Sequence, residues 1–262
     1  MSKDYKIVDL NESNLDEYDM FCHKSKKQGE PYSNKVEWIK ERFKEGLKLK
    51  LLLVKETKPG WTSRGFIEYI PGEYAWRGIN APGYMVVHCL WVVGKHKKKG
   101  YATKLLELCL KDAKEQGMHG VTATATEGNF LAGRKIYVKN GFEKVDEAPD
   151  GFELYVKRFS DDAPLPKFNY SAAEEIWKKY PEGFTLFKSV QCPYITDFIP
   201  IMKKVGKDLG IPVRIEEIKT AKEAQSIHPI GTCCILLNGE FISHYPNTEK
   251  GFKKQLAKKG II

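Results

Sequence analysis

Trp91-Val92-Val93-Gly94-Lys95-His96-Lys97-Lys98-Lys99-Gly100-Tyr101-Ala102-Thr103 is the most informative stretch of this chain. It continues residues 85–93, which are apolar almost throughout, as a strand buried on both faces should be. It leads into residues 101–116, where Leu105, Leu106, Cys109, Leu110 and Ala113 share one helical face and Gly117 supplies the stop. A buried strand, a basic turn and a helix that begins at a glycine thus follow one another. Amides at a helix start have no acceptor within the helix and lie at the positive end of its dipole, so they attract an anion such as phosphate. Gly100 and Ala102 are small enough to let that backbone approach a ligand, and the lysines add charge attraction. Taken alone, the pattern fits any phosphate ligand, and equally a basic surface turn containing an incidental glycine.

Outward from this stretch the chain alternates strand and helix. Residues 6–10 and 48–55 read as strands, and 14–27 and 34–45 between them have helical spacing, with Gly46 as a stop. Residues 64–70 form a strand ending in the turn Pro71-Gly72, and 121–126 form another. A short helix over 130–138 is closed by Asn140-Gly141, before strands at 142–145 and 152–159. The order predicts a mixed α/β sheet with helices on both faces. The polar, proline-bearing run Ser160-Asp161-Asp162-Ala163-Pro164-Leu165-Pro166 marks a boundary, which gives a first domain over 1–160, a linker over 161–183 and a second domain over 184–262. That second domain reads strand 184–187, helix 195–209, strand 213–218, helix 221–227, a hairpin through Asn238-Gly239 and a last helix over 248–259.

With 42% hydrophobic and 29% charged residues over 262 positions, the composition is that of a globular protein. No apolar run approaches the roughly 18 residues of a membrane span, and the N-terminal sequence lacks a signal-peptide pattern, so a cytoplasmic location without membrane contact is expected. Cys22, Cys89, Cys109, Cys192, Cys233 and Cys234 show neither zinc spacing nor a disulfide framework, and no metal is expected. The net charge of +9 raises nucleic acid as a partner, yet no recognised binding motif or arginine-rich tract supports one.

One strand after the basic turn comes Asn129-Phe130-Leu131-Ala132-Gly133-Arg134-Lys135-Ile136-Tyr137-Val138-Lys139-Asn140-Gly141-Phe142. Together the two segments resemble the GCN5-related N-acetyltransferase (GNAT) superfamily over residues 5–159. In that family an arginine/glutamine-x-x-glycine-x-glycine/alanine loop cradles the diphosphate of coenzyme A, and a later helix carries a tyrosine shortly before a Gly-Phe pair. Here Lys97, Gly100 and Ala102 match the loop, Asn129 the family asparagine, Tyr137 the tyrosine and Gly141-Phe142 the closing pair. Two positions depart from the pattern: Lys97 replaces arginine or glutamine, and Gly94 stands where proline is common. Lysine keeps the charge without the planar fork, and a cradle made mostly of backbone tolerates that exchange.

The resemblance implies an N-acetyltransferase that moves an acetyl group from acetyl-CoA to a primary amine in a ternary complex. It implies that Leu90, Trp91 and Val92 offer backbone groups to the pantetheine arm, that Lys97, Lys98, Lys99, Gly100, Tyr101, Ala102 and Thr103 hold the diphosphate, and that Asn129 completes the coenzyme site. Tyr137 becomes the general acid for the departing thiolate. A base must also strip the amine, and His88 on the buried strand has a side chain suited to proton removal near neutrality. Glu68 and a water relay are the alternatives, and a hydrogen-bonded core histidine is the structural reading of His88. Trp61, Tyr69, Tyr74, Trp76 and Tyr84 are candidates to line an acceptor pocket.

The C-terminal order resembles a thioredoxin-like fold, and with the upstream domain it resembles acetyltransferases carrying a YoaP-like extension. Val190-Gln191-Cys192-Pro193-Tyr194 sits where redox members carry Cys-Pro-Tyr-Cys, with Ile195 in place of the second cysteine and Thr232-Cys233-Cys234 where a cis-proline is usual. Cys192, just before a helix, is the candidate redox thiol. Two other functions compete with the enzyme: a coenzyme-A-binding sensor without turnover, and a basic RNA-associated protein.

Overall fold

The structure is a computed structural model, and it describes residues 4–56, 60–127, 130–245 and 247–262. The chain divides into two compact units. Met1–Ser25, Val36–Ala75 and Asn80–Phe168 make the first, and Lys26–Lys35, Trp76–Ile79 and Asn169–Ile262 the second.

Elements up to the end of the first unit run β1 (Tyr5–Leu10), α1 (Glu30–Phe43), β2 (Lys48–Lys55), β3 (Trp61–Pro71), β4 (Ile79–Asn80), β5 (Tyr84–Val92), α2 (Tyr101–Glu115), β6 (Gly120–Ala125), α3 (Arg134–Lys139), β7 (Glu143–Ala148), β8 (Phe152–Arg158) and β9 (Lys167–Phe168). Seven of the strands form one sheet in the order β1-β2-β3-β5-β6-β8-β7. Its neighbours are antiparallel except β5 and β6, which run parallel because α2 carries the chain back between them. On one face α2 buries Leu105, Leu106, Cys109 and Ala113 against Leu52 and Val54 of β2, Ile67 and Tyr69 of β3, Met85 and Val87 of β5, and Val121, Ala123 and Ala125 of β6. Each large aliphatic side chain so buried contributes roughly 1.5–3 kcal/mol, and this is the stripe the sequence periodicity marks.

Two local expectations fail. Residues 14–27 form turns, with only a 3₁₀ turn at Lys24–Lys26, not a helix. Asn11 Oδ1 accepts from the Ser13 amide and hydroxyl, Asn14 Oδ1 accepts from the Asn11 amide, and Asp19 Oδ1 accepts from the Phe21 amide. Short polar side chains that bond nearby backbone compete with helix in this way, and Phe21 and His23 adopt positive φ. The helix expected over 130–138 begins only at Arg134, because Phe130 has φ 71° and Gly133 is extended at φ −69°, ψ 157°.

The second unit contains α4 (Tyr170–Trp177), β10 (Phe184–Lys188), α5 (Tyr194–Leu209), β11 (Val213–Glu217), α6 (Ala221–Ile227), β12 (Cys233–Leu237), β13 (Glu240–Ser243) and α7 (Glu249–Lys258). Helix α4 lies within the stretch read as a linker. Four strands pair in the order β11-β10-β12-β13, with β10 and β11 parallel and the other neighbours antiparallel. Phe184, Leu186, Ile235, Ile195, Phe198, Met202, Val205, Phe252 and Leu256 form its core. Asn238 (φ 52°) and Gly239 (φ 81°) make the two-residue hairpin turn.

Candidate active site

Strand β5 carries two irregularities. Glu68 of β3 faces Cys89 while Tyr69 faces Val87, so His88 is an extra residue, a bulge on β5. The ladder between β5 and β6 runs only from Tyr84↔Gly120 to Val87↔Ala123. Past that point β5 still pairs with β3 through Cys89, Leu90, Trp91 and Val92, and β6 still pairs with β8 through Thr124 and Ala125. The edges that face each other carry no further pairs among the described residues. Burial falls at the same place, from fully buried His88 to Trp91 at 39% exposure. Gly65 of β3 sits beside this opening, where a Cβ would come within 2.7 Å of the Trp91 carbonyl oxygen.

The parted strands leave a cavity of about 510 Å³. Its walls are His88–Val92 of β5, His96, Lys97 and Lys98 of the turn, Gly100–Thr103 at the start of α2, Thr124 of β6, and Phe130–Gly133, Ile136, Tyr137 and Lys139 of α3 and its approach. Of the residues singled out from sequence, Leu90, Trp91, Val92, Lys97, Lys98, Gly100, Tyr101, Ala102, Thr103, His88 and Tyr137 all line it. Lys99 does not, and Asn129 lies outside the described residues. None of Trp61, Tyr69, Tyr74, Trp76 and Tyr84 lines it. Tyr69, Trp76 and Tyr84 are core residues at 2% exposure or less, and Trp61 packs under the ammonium groups of Lys6 and Lys55.

The turn into α2 is built to leave amides unused. Gly100 has φ 79°, and a Cβ there would meet nothing within 4 Å, so the left-handed backbone rather than crowding calls for glycine. No side chain caps α2, and its first hydrogen bond runs from the Lys104 amide to the Gly100 carbonyl at 3.1 Å. The amides of Tyr101, Ala102 and Thr103 therefore have no acceptor within the helix. Lys98 also has a positive φ, and such turns gather successive N–H groups into an anion-binding concavity.

Glu56, missed from sequence, divides the basic run in two. Its carboxylate accepts from Arg64, from His96 Nε2 at 2.9 Å, and pairs with Lys95 at 3.3 Å. The Arg64 bonds, followed by that of His96, hold its carboxyl down to about 2. Lys95 and His96 are thus engaged by Glu56, Lys95 off the cavity wall and His96 on it, while Lys97 and Lys98 line the cavity without that carboxylate.

At the deep end, His88 Nδ1 lies 3.1 Å from Glu68 Oε1, with both side chains buried. The His88 ring sits 6.3 Å from that of Trp38 on α1. Tyr137, 2% exposed, stacks on Tyr155 at 6.1 Å and tilts against Phe142 at 5.5 Å. Asn140 donates to the Ile136 carbonyl at 2.6 Å and reaches Thr103 Oγ1 at 3.5 Å, which ties the end of α3 to the start of α2. Thr124 is 3% exposed, and its Oγ1 finds no partner among the described residues.

In the second unit, half-buried Cys192 immediately precedes Pro193, the N-cap of α5. Cys233 is buried, and burial pushes its thiol up. The six cysteines carry no disulfide. Among the described residues no group of three or more His, Cys, Asp or Glu side chains could hold a metal ion, and no helix is long and apolar enough to cross a membrane.

Residues 25–142 match the family model described as the acetyltransferase (GNAT) family. The chain is 29% identical over 253 residues to the Bacillus subtilis (strain 168) protein called uncharacterized N-acetyltransferase YoaP, covering 95% of this chain and 97% of that one. Among solved structures it is similar to a GNAT-family acetyltransferase of Staphylococcus aureus Mu50, at 16% identity and a TM-score of 0.42 over 60% of this chain and 99% of that one. It is also similar to the Escherichia coli GNAT-family N-acetyltransferase YhbS in complex with CoA, at 14% identity and a TM-score of 0.40 over 63% of this chain and 89% of that one. The family match thus runs through the basic turn and the Tyr137 helix, and the similarity to YoaP runs nearly end to end.

Proposed function

We propose that the first unit transfers an acetyl group from acetyl-CoA directly to a primary amine held in the same complex. The observation that carries this reading is the parting of β5 from β6 at the foot of the uncapped α2 turn. The edge of Leu90, Trp91 and Val92 offers peptide groups to the amides of the pantetheine arm, as an added strand would use them. The amides of Tyr101, Ala102 and Thr103, with Lys97 and Lys98, suit the diphosphate.

His88 takes the proton from the ammonium form of the acceptor, so that a neutral nitrogen attacks the thioester carbonyl. Its contact with Glu68 favours the tautomer with Nδ1 protonated, which leaves Nε2 as the accepting nitrogen. Tyr137 donates its hydroxyl proton to the sulfur as the carbon–sulfur bond breaks, the second proton lost by the attacking nitrogen restores the tyrosine hydroxyl, and the products are an amide and CoA thiol. The second unit reads as a thioredoxin-like extension of the YoaP kind, supported by its β11-β10-β12-β13 order and by the place of Cys192 before α5.

Two measurements test the reading. Calorimetry with coenzyme A should register a complex; none at millimolar ligand removes the proposal, as does thermal stabilisation by RNA alone. Release of CoA thiol from acetyl-CoA should then depend on a member of a panel of amines, lysine peptides and aminoglycosides.

A further inference from the structure

Thr124 presents a contradiction within an otherwise satisfied strand. The neighbouring Thr122 hydroxyl donates to the Tyr155 carbonyl at 2.9 Å, as a buried hydroxyl should. Thr124, two residues on and pointing to the same face, is 3% exposed and lines the cavity, yet its Oγ1 has no partner among the described residues. A buried hydroxyl without a partner is destabilising, so it is tolerated where something other than protein satisfies it.

Its place narrows what that is. Thr124 is the first residue of β6 beyond the last pair with β5, Val87↔Ala123, and so lies at the vertex where the strands part. His88, the bulged residue, is the first beyond that pair on β5. Val121, Ala123 and Ala125 join the core under α2, which puts Thr124 on the opposite face of β6. The arm-binding edge at Leu90–Val92 lies further out along the opening. Vertex residues therefore meet the acyl end of the ligand, where the polar group to be satisfied is a carbonyl oxygen.

We infer that the Thr124 hydroxyl donates a hydrogen bond to the thioester carbonyl oxygen of the acyl donor, an inference that rests on the coenzyme site proposed above. The same bond strengthens as that oxygen gains negative charge during attack, so Thr124 acts on turnover as well as on binding.

The test is Thr124→Val, which keeps the β-branched shape and removes the hydroxyl, with Thr124→Ser restoring it. Removing an unpartnered hydroxyl should leave the melting temperature of the unliganded protein unchanged or raised. Affinity for acetyl-CoA should fall about threefold to tenfold while affinity for CoA, which has no acyl carbonyl, stays the same. Serine should recover acetyl-CoA affinity. Equal losses for both ligands would place the hydroxyl on the arm and overturn the carbonyl assignment, and unchanged affinity for both would leave the hydroxyl without a ligand role. A drop in unliganded stability with no selective loss would mean Thr124 serves the fold alone. Failure of the wild-type protein to bind CoA at all removes the coenzyme reading and this inference with it; wild-type binding with an indifferent valine variant removes this inference only.

Discussion

The starts of α2 and α5 are two versions of one arrangement: a buried strand, a short turn and an uncapped helix. Before α5, strand β10 is paired along all of Phe184–Lys188 with both β11 and β12. The turn that follows is taken up by the unit's own groups. The Ser189 amide donates to the Thr232 carbonyl at 3.0 Å, Gln191 Oε1 accepts from Arg77, and Pro193 occupies the N-cap. Before α2, strand β5 loses one neighbour after Val87, and the turn ends in left-handed Gly100 with lysines beside an open wall. Helix ends are alike in both places. The departure of a neighbouring strand is what turns one of them into a candidate site.

That contrast is most exposed to attack at the chemistry. Tyr137→Phe should lower kcat by about a hundredfold or more with acetyl-CoA affinity nearly intact, the range expected for loss of a general acid. Cys192→Ala, at the closed start, should leave kcat within about twofold when acid–base chemistry is confined to the first unit. Steady-state release of CoA thiol measures both, and equal losses would erase the distinction between the two turns.

Backbone conformation comes next. Gly100→Val forces a branched side chain into a left-handed residue, which costs roughly 1–2 kcal/mol and should weaken acetyl-CoA binding by about tenfold. Gly210, at the C-cap of α5, has φ 68° and also faces open space. Gly210→Val should therefore show a similar loss of stability and no change in acetyl-CoA affinity. Calorimetry and thermal melting on the pair separate a binding effect from a folding one.

Charge gives a smaller effect. Lys97→Ala with Lys98→Ala should weaken binding severalfold at low ionic strength, and the difference should shrink as salt screens it over about 10 Å at 0.1 M. Lys99→Ala should change little, since Lys99 is off the cavity wall.

Acid should act on the folding of the second unit rather than on binding. His228 is buried, its Nδ1 accepts from the Ile230 amide at 3.1 Å, and its ring stacks on Phe241 at 4.6 Å. Burial, followed by the neighbouring His244, lowers its pKa well below the usual imidazole value. The folded ring stays neutral while the unfolded one takes a proton below about pH 6.5, so stability is present above that pH and is lost as pH falls, by up to about 1.4 kcal/mol per pH unit. Denaturant melts between about pH 7.5 and pH 5 should show this slope, and His228→Gln should flatten it.

The turn into α2 was readable because its signals are local: an apolar run, lysines, a glycine, then a helical stripe over Leu105, Leu106, Cys109 and Ala113. The hairpin at Asn238-Gly239 was readable for the same reason. What stayed hidden depends on partners distant in sequence. Glu56 meets His96 across 40 residues, and Glu68 meets His88 across 20. The bulge at His88 and the parting at Val87 are differences in register between strands, and no single segment records them. The helical spacing of 14–27 misled because Asn11, Asn14 and Asp19 bond their own backbone instead. Orphan Thr124 reads from sequence as an ordinary strand threonine; only the cavity beside it makes it unusual.

The vacated edge of β5 has a consequence for how such a site can evolve. The donors and acceptors on that edge come from alternate residues, Leu90 and Val92, since Trp91 is turned toward β3; they are peptide groups, which every substitution except proline retains. If the edge holds the arm as proposed, side chains along the groove can be exchanged to suit a new acceptor while that handle persists, so this part of the site is robust to mutation by construction.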